Sequence, residues 1–186
     1  MTKLTPAQRA SLAEMKTRLK SLQTELTEAK KREGIDAYVM IKVKDRHARF
    51  DRTHNPDGPD KAVGRFLILI NITAKSVPVL IPLSIASSKN VSGFMYHIEG
   101  TGESSIATAS ASARGEGMTV VRVGTLEYAK VEPGKTVTFR LDVTIRGKIG
   151  KKYHIVLDRI NYKLAHTDPR YQQYLKPVVS KSLKFK

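Results

Sequence analysis

The chain is predicted to be mainly β: an antiparallel β-sandwich, immunoglobulin-like or jelly-roll-like, with an N-terminal amphipathic helix of coiled-coil type. Three observations lead there. Val131, Val137, Phe139, Leu141, Val143 and Ile145 fall on odd positions while Thr136, Thr138, Arg140, Asp142, Thr144 and Arg146 fall on even ones, the period of a strand with one buried face. Turn formers recur roughly every 8 to 15 residues after Gly34 with no helical period between them, as a chain of short strands requires. Ahead of Gly34 the period changes. Leu12, Met15, Leu19, Leu22, Leu26 and Ala29 follow one another at steps of three and four, the seam of a coiled coil.

The order of elements follows from these periods. Thr5-Pro6-Ala7-Gln8 carries a capping box, with proline at the first helical position. Lys30-Lys31-Arg32 place positive charge at the helix end and Gly34 stops it, so residues 6–33 would form a rod of roughly 40 Å. The seam is a strict two-in-seven stripe, narrower than the face a helix usually lays on its own domain; it suits a partner helix, with packing on its own β-domain as the alternative. The division expected is a helix over 1–34, a β-domain over 35–168 and a basic tail over 169–186.

Within the β-domain, Ile35, Ala37, Val39, Ile41 and Val43 alternate against Tyr38, Met40, Lys42 and Lys44 to make the first strand. Asp45 to Arg52 is mixed in charge, and Thr53 to Asp60 is a run of turn residues. Gly64 to Lys75 becomes continuously apolar from Phe66 to Ile70, which places it centrally in a sheet. Between Val77 and Ile85, Pro78 and Pro82 share one parity, so both remove donors from the same flank and mark an edge. Gly93–Glu99 is a short strand, Ile106–Ala113 a strand of tiny side chains, and Met118–Lys130 a strand or pair broken near Gly124. After Pro133-Gly134, the strand through Ile145 and a second beginning at Tyr153 are joined by Gly147 to Lys151, which predicts a hairpin. From Pro169 the chain is irregular and basic, a tail expected to dock on a neighbour or stay mobile.

The run Val131-Glu-Pro-Gly-Lys-Thr-Val-Thr-Phe-Arg-Leu-Asp-Val, followed by Gly150-Lys-Lys-Tyr153-His-Ile-Val-Leu-Asp-Arg-Ile-Asn-Tyr162, resembles the closing strands of immunoglobulin-like domains in microbial surface and appendage proteins. Tyr153 falls where such sandwiches often place a tyrosine at the start of a strand. The resemblance carries no functional motif and implies a scaffold or adhesion module.

Composition narrows the chemistry. There is no cysteine, which removes disulfides, thiol catalysis and cysteine-ligated zinc. The first residues lack the apolar core of a signal peptide, and Phe66 to Ile72, broken by Asn71, is too short for a membrane span. The compartment stays open, with a cell surface or virus particle favoured over the soluble cytoplasm. His47, His54, His97, His154 and His166 are scattered without ligand spacing, so neither a metal nor any other cofactor is expected. Gly100-x-Gly102 and Gly115-x-Gly117 lack a following helix and read as turns. No hydrolase, nucleotide-binding or metalloprotease motif occurs, and catalysis is not expected.

The net charge of +16 is spread along the chain and favours anionic partners. Two basic sets are candidate contacts to nucleic acid or another anionic polymer: Lys42, Lys44, Arg46, Arg49 and Arg52 along the first strand, and Arg140, Arg146, Lys148, Lys151 and Lys152 round the predicted hairpin. The leading expectation is a noncatalytic structural protein that assembles with copies of itself through the helix seam and the tail. A nucleic-acid-binding β-protein is the alternative.

Overall fold

A computed structural model of the chain describes residues 11, 14–25, 38–51, 61–86, 92–164, 171–174 and 176–186. Residues 14–25 are helical, and nearly all other regular structure is strand. In chain order the first six strands are β1 (Val39–Asp51), β2 (Lys61–Ala74), β3 (Val79–Pro82), β4 (Ile85–Ala86), β5 (Phe94–Gly100) and β6 (Ser104–Arg114). Seven more follow: β7 (Met118–Val123), β8 (Leu126–Val131), β9 (Thr136–Lys148), β10 (Lys152–Tyr162), β11 (Gln172–Tyr174), β12 (Val178–Val179) and β13 (Leu183–Lys184). They form a four-stranded sheet ordered β1-β2-β9-β6, a three-stranded sheet β3-β8-β7, and a sheet β11-β10-β5-β4 in which β12 and β13 also pair with β10. Pairing is antiparallel except between β4 and β5.

The alternation read from residues 137–145 is realised: Val137, Phe139, Leu141, Val143 and Ile145 are all buried. They meet Phe66, Ile68, Ile70 and Ile72 of the neighbouring strand, and across the core Phe94, Tyr96, Ile155 and Leu157 of the sheet built on β10. The rings of Phe94 and Phe139 stand 5.5 Å apart. Removing each such side chain from water contributes about 1.5–3 kcal/mol, set against the entropy of ordering the chain. As the unbroken apolar run predicts, β2 is central, flanked by β1 and β9.

The edge marked by prolines is also found. β3 lies at the end of its sheet, and on its other flank, among the described residues, Leu80 alone exchanges backbone hydrogen bonds with Lys163, both at 2.8 Å. Pro78 and Pro82, two residues either side, have no N–H to continue that ladder. Gly124 turns the β7–β8 hairpin with φ of 60°, and the two-residue loop between paired Val123 and Leu126 has the positive first angle that favours glycine.

Two expectations are corrected. The strands over 136–148 and 152–162 do not form a hairpin: β9 is filled on both sides by β2 and β6, and β10 by β5 and the tail strands. Gly147 to Lys151 carries the chain from one sheet to the other, because both strands turn a continuous apolar face to the same core, which two sheets can share and one flat ribbon cannot.

The second correction concerns the tail, whose described residues dock on their own chain. β11, β12 and β13 pair along β10, and Tyr174, Val178 and Phe185 are buried. Phe185 has no exposed surface; its ring lies 4.8 Å from Tyr153 and 5.5 Å from Phe50. The space exists because glycines line it: a Cβ at Gly64 would come within 2.5 Å of the Phe185 ring, and one at Gly147 within 2.6 Å of Tyr153. The Tyr153 hydroxyl accepts from the Lys148 amide and donates to the Glu103 carbonyl, each at 2.9 Å. One tyrosine thereby ties together the end of β9, the loop before β6 and the start of β10.

Candidate functional site

Two surfaces gather the residues singled out from the sequence. The first is the helix over 14–25. Met15, Leu19 and Leu22 of the seam are 62%, 58% and 54% exposed, and no described residue of this helix is buried. Leu12, Leu26 and Ala29 lie outside the described residues. Ser21 donates to Glu25 at 3.2 Å one turn on, so the polar side of the helix is closed locally while its apolar stripe faces solvent.

The second surface is the outer face of the four-stranded sheet. Pairing places Lys42, Asn71, Thr138 and Arg114 in one row across the sheet, and Asp45, Leu69, Arg140 and Ser112 in the next. Further along come His47, Leu67, Asp142 and Ser110, then Arg49, Arg65, Thr144 and Thr108. Register shifts between Val43 and Asp45, so Lys44 is the extra residue of a bulge. A bulge reverses which parity faces out. Arg46 consequently stands opposite the buried Ile68, on the core side of an edge strand, rather than beside Lys42 as simple alternation predicts, whereas Arg49 moves to the outer face. Tyr38, which shares the parity of Lys42 and Lys44, packs against the core.

Lys44, Arg114 and Arg140 surround an open depression of about 320 Å³ floored by Leu69 and bordered by Ser112, Gly115 and Thr138. The backbone is close at Gly115, where a Cβ would lie 3.0 Å from the Thr136 carbonyl oxygen and would fit only if that strand gave way by a few tenths of an ångström. Arg140 is steadied by Asp142, which accepts from its Nη2 at 3.1 Å and from both Nε and Nη2 of Arg65 in a fork, the Nε bond measuring 2.7 Å. Burial pushes the Asp142 carboxyl up, but the Arg65 and Arg140 guanidinium groups outweigh it and hold the carboxyl below its ordinary value. Asp45 is turned away, accepting from the Arg46 amide at 2.7 Å and meeting His47 at 2.6 Å. Among the described residues no carboxylate pairs with Lys44 or Arg114.

The structure therefore joins Lys44 and Arg140, one from each predicted basic set, and adds Arg114, which sequence reasoning passed over. Its signal was present: Thr108, Ser110, Ser112 and Arg114 share one parity and so one face. Arg146, Lys148, Lys151 and Lys152 belong to the other end of the molecule. Lys148 lies eight residues beyond Arg140, roughly 26 Å of strand, and its Nζ meets Glu103 at 3.2 Å. Arg52 lies outside the described residues.

Histidines that look scattered in sequence are partly brought together on the sheet built on β10. His97 places Nδ1 2.9 Å from Asp158 and Nε2 3.0 Å from Glu99, while His154 meets the other Glu99 oxygen at 2.8 Å. Carboxylates only accept, so both ring nitrogens of His97 are satisfied together when both carry protons. Asp158, then Glu99, raises the His97 pKa above its ordinary value, and the two imidazoles lower that of Glu99. Among the described residues no set of three such groups is arranged to hold a metal ion, and no helix is long and apolar enough to cross a membrane. Comparison of the chain with protein families, with curated proteins and with solved structures finds no match.

Proposed function

We propose that this protein is a noncatalytic assembly subunit, a β-sandwich of immunoglobulin-like or jelly-roll-like type that joins copies of itself through its N-terminal helix. The observation that carries this reading is the exposure of Met15, Leu19 and Leu22 on a helix with no buried residue among 14–25. Large apolar side chains repeated at heptad spacing are driven out of water, and a stripe of two in seven matches a second helix of the same kind. The occupant is another copy because the stripe is self-complementary in character and the described residues that close the core of the β-domain come from the strands and their flanks and not from this helix. A seam of about three heptads is marginal alone, so the β-domain contributes to the same assembly. A surface layer, a filament or a virus particle is the setting such a subunit suits.

The reading is tested by the native mass of the full chain beside that of a chain lacking residues 1–34. The full chain is expected to be a multimer and the shortened chain to fall to a smaller species with its thermal unfolding unchanged. A full chain that is monomeric at tens of micromolar contradicts it.

A further inference from the structure

We propose that the depression between Lys44, Arg114 and Arg140 is a binding site for a phosphate group, with a nucleic-acid backbone as its source. The inference is separate from the assembly reading and rests on a different surface. Three strands each deliver one cation to the same hollow: Lys44 from the bulge in β1, Arg114 from the end of β6 and Arg140 from the middle of β9. A bulge in an edge strand is a device that re-aims a side chain, and here it sets Lys44 at the rim with a flexible ammonium.

Neither Lys44 nor Arg114 has a carboxylate partner among the described residues. Asp142 offsets part of the Arg140 charge, but Lys44 and Arg114 add two like charges to the same hollow with no counter-charge of their own, a repulsion that a multiply charged anion would relieve. The Ser112 hydroxyl has no hydrogen-bond partner among the described residues and can donate, while Thr138 has given its proton to Asn71 at 2.8 Å. Two guanidinium groups, one ammonium and one hydroxyl approaching from different sides fit a tetrahedral oxyanion better than a planar carboxylate. The planar role is already taken by Asp142 in the Arg65 fork.

The surroundings choose the source. Lys42 ends the same row as Arg114, and Arg49 continues the positive face beyond, so neighbouring phosphates would also find partners. The hollow is open rather than closed, and its rows across the sheet carry no aromatic side chain on which a base could stack. Binding directed at the backbone follows, without readout of sequence.

The test titrates inorganic phosphate and, separately, a fluorescent DNA duplex of arbitrary sequence into the full chain, into Lys44→Ala and Arg114→Ala, and into Lys184→Ala, which removes an exposed cation from the other sheet. Phosphate is expected to move the amide signals of Ser112 and Arg114. Duplex affinity should fall about ten-fold in Lys44→Ala and Arg114→Ala and less than about two-fold in Lys184→Ala, with the salt slope of log affinity reduced by about one for each phosphate that the variant no longer neutralises. All three side chains are exposed, so unchanged thermal unfolding separates lost binding from lost folding. Phosphate-induced shifts with no duplex binding would overturn the nucleic-acid source and assign the hollow to a small phosphate compound. Equal loss in Lys184→Ala, or no response to either ligand, would overturn the site itself.

Discussion

The two ends of the chain look alike in sequence, each a basic appendage to a β-domain, yet they are treated oppositely by the fold. The C-terminal segment contributes three strands to β10 and seals Phe185 with no exposed surface. The N-terminal helix leaves Leu19 58% exposed. Charge and position do not separate them. What does is whether a matching cavity is seen: glycines at 64 and 147 vacate the volume that the Phe185 ring fills, whereas Met15, Leu19 and Leu22 stay exposed among the described residues. The appendage with a cavity is part of the core, and the one with an exposed stripe is the one proposed above to meet another copy.

The contrast can be broken most forcefully at Phe185. Its replacement by alanine is expected to cost about 3–5 kcal/mol, lowering the melting temperature by roughly 10 °C for a chain of this size; calorimetry checks this, and a shift within about two degrees would show that the tail is not part of the core. Gly147→Ala should cost about 1–3 kcal/mol by overpacking, because the new methyl would meet Tyr153 at 2.6 Å and Phe185 at 3.0 Å. If that variant unfolds like the parent, the tail has another way to seat.

A smaller effect is expected from pH on the sheet that carries the tail. The His97 pKa is raised by Asp158 and then Glu99, with His154 sharing Glu99. Folding therefore favours the imidazolium, and its contribution is fully present below the unfolded value of about 6.5 and is lost as pH rises through the raised folded value. His97→Gln should flatten this decline in melting temperature above about pH 6.5; a decline that persists unchanged points elsewhere. The least effect on stability is expected from Leu19→Lys, within about 0.5 kcal/mol, though the same change should disperse the proposed assembly. A large fall in melting temperature would instead mean that the helix packs on its own domain.

Much of the fold was legible because burial imposes a period of two. Phe139, Leu141 and Val143 announce a buried face, and Pro78 with Pro82 announces an edge, since each effect acts within a few residues. What was hidden depends on partners distant in sequence. Gly147 to Lys151 can close a hairpin or cross between sheets with the same loop length, and only the competition of β2, β6 and β5 for pairing decides. The bulge at Lys44 leaves no mark in an alternation that runs on through polar residues, so Arg46 reads as a neighbour of Lys42 when it faces the other way. The tail's buried residues, Tyr174, Val178 and Phe185, are too widely spaced to show a period at all. Likewise the basic hollow could not be assembled from sequence, because Lys44, Arg114 and Arg140 meet only through the register of three strands.

The most direct measurement is light scattering of the full chain and of the chain without residues 1–34, each followed by thermal unfolding. A multimer that collapses to a smaller species on removal of the helix while the melting temperature holds is the result expected. Equal masses for the two chains, or a melting temperature that drops with the helix, would contradict the claim that this end of the molecule is made for another copy.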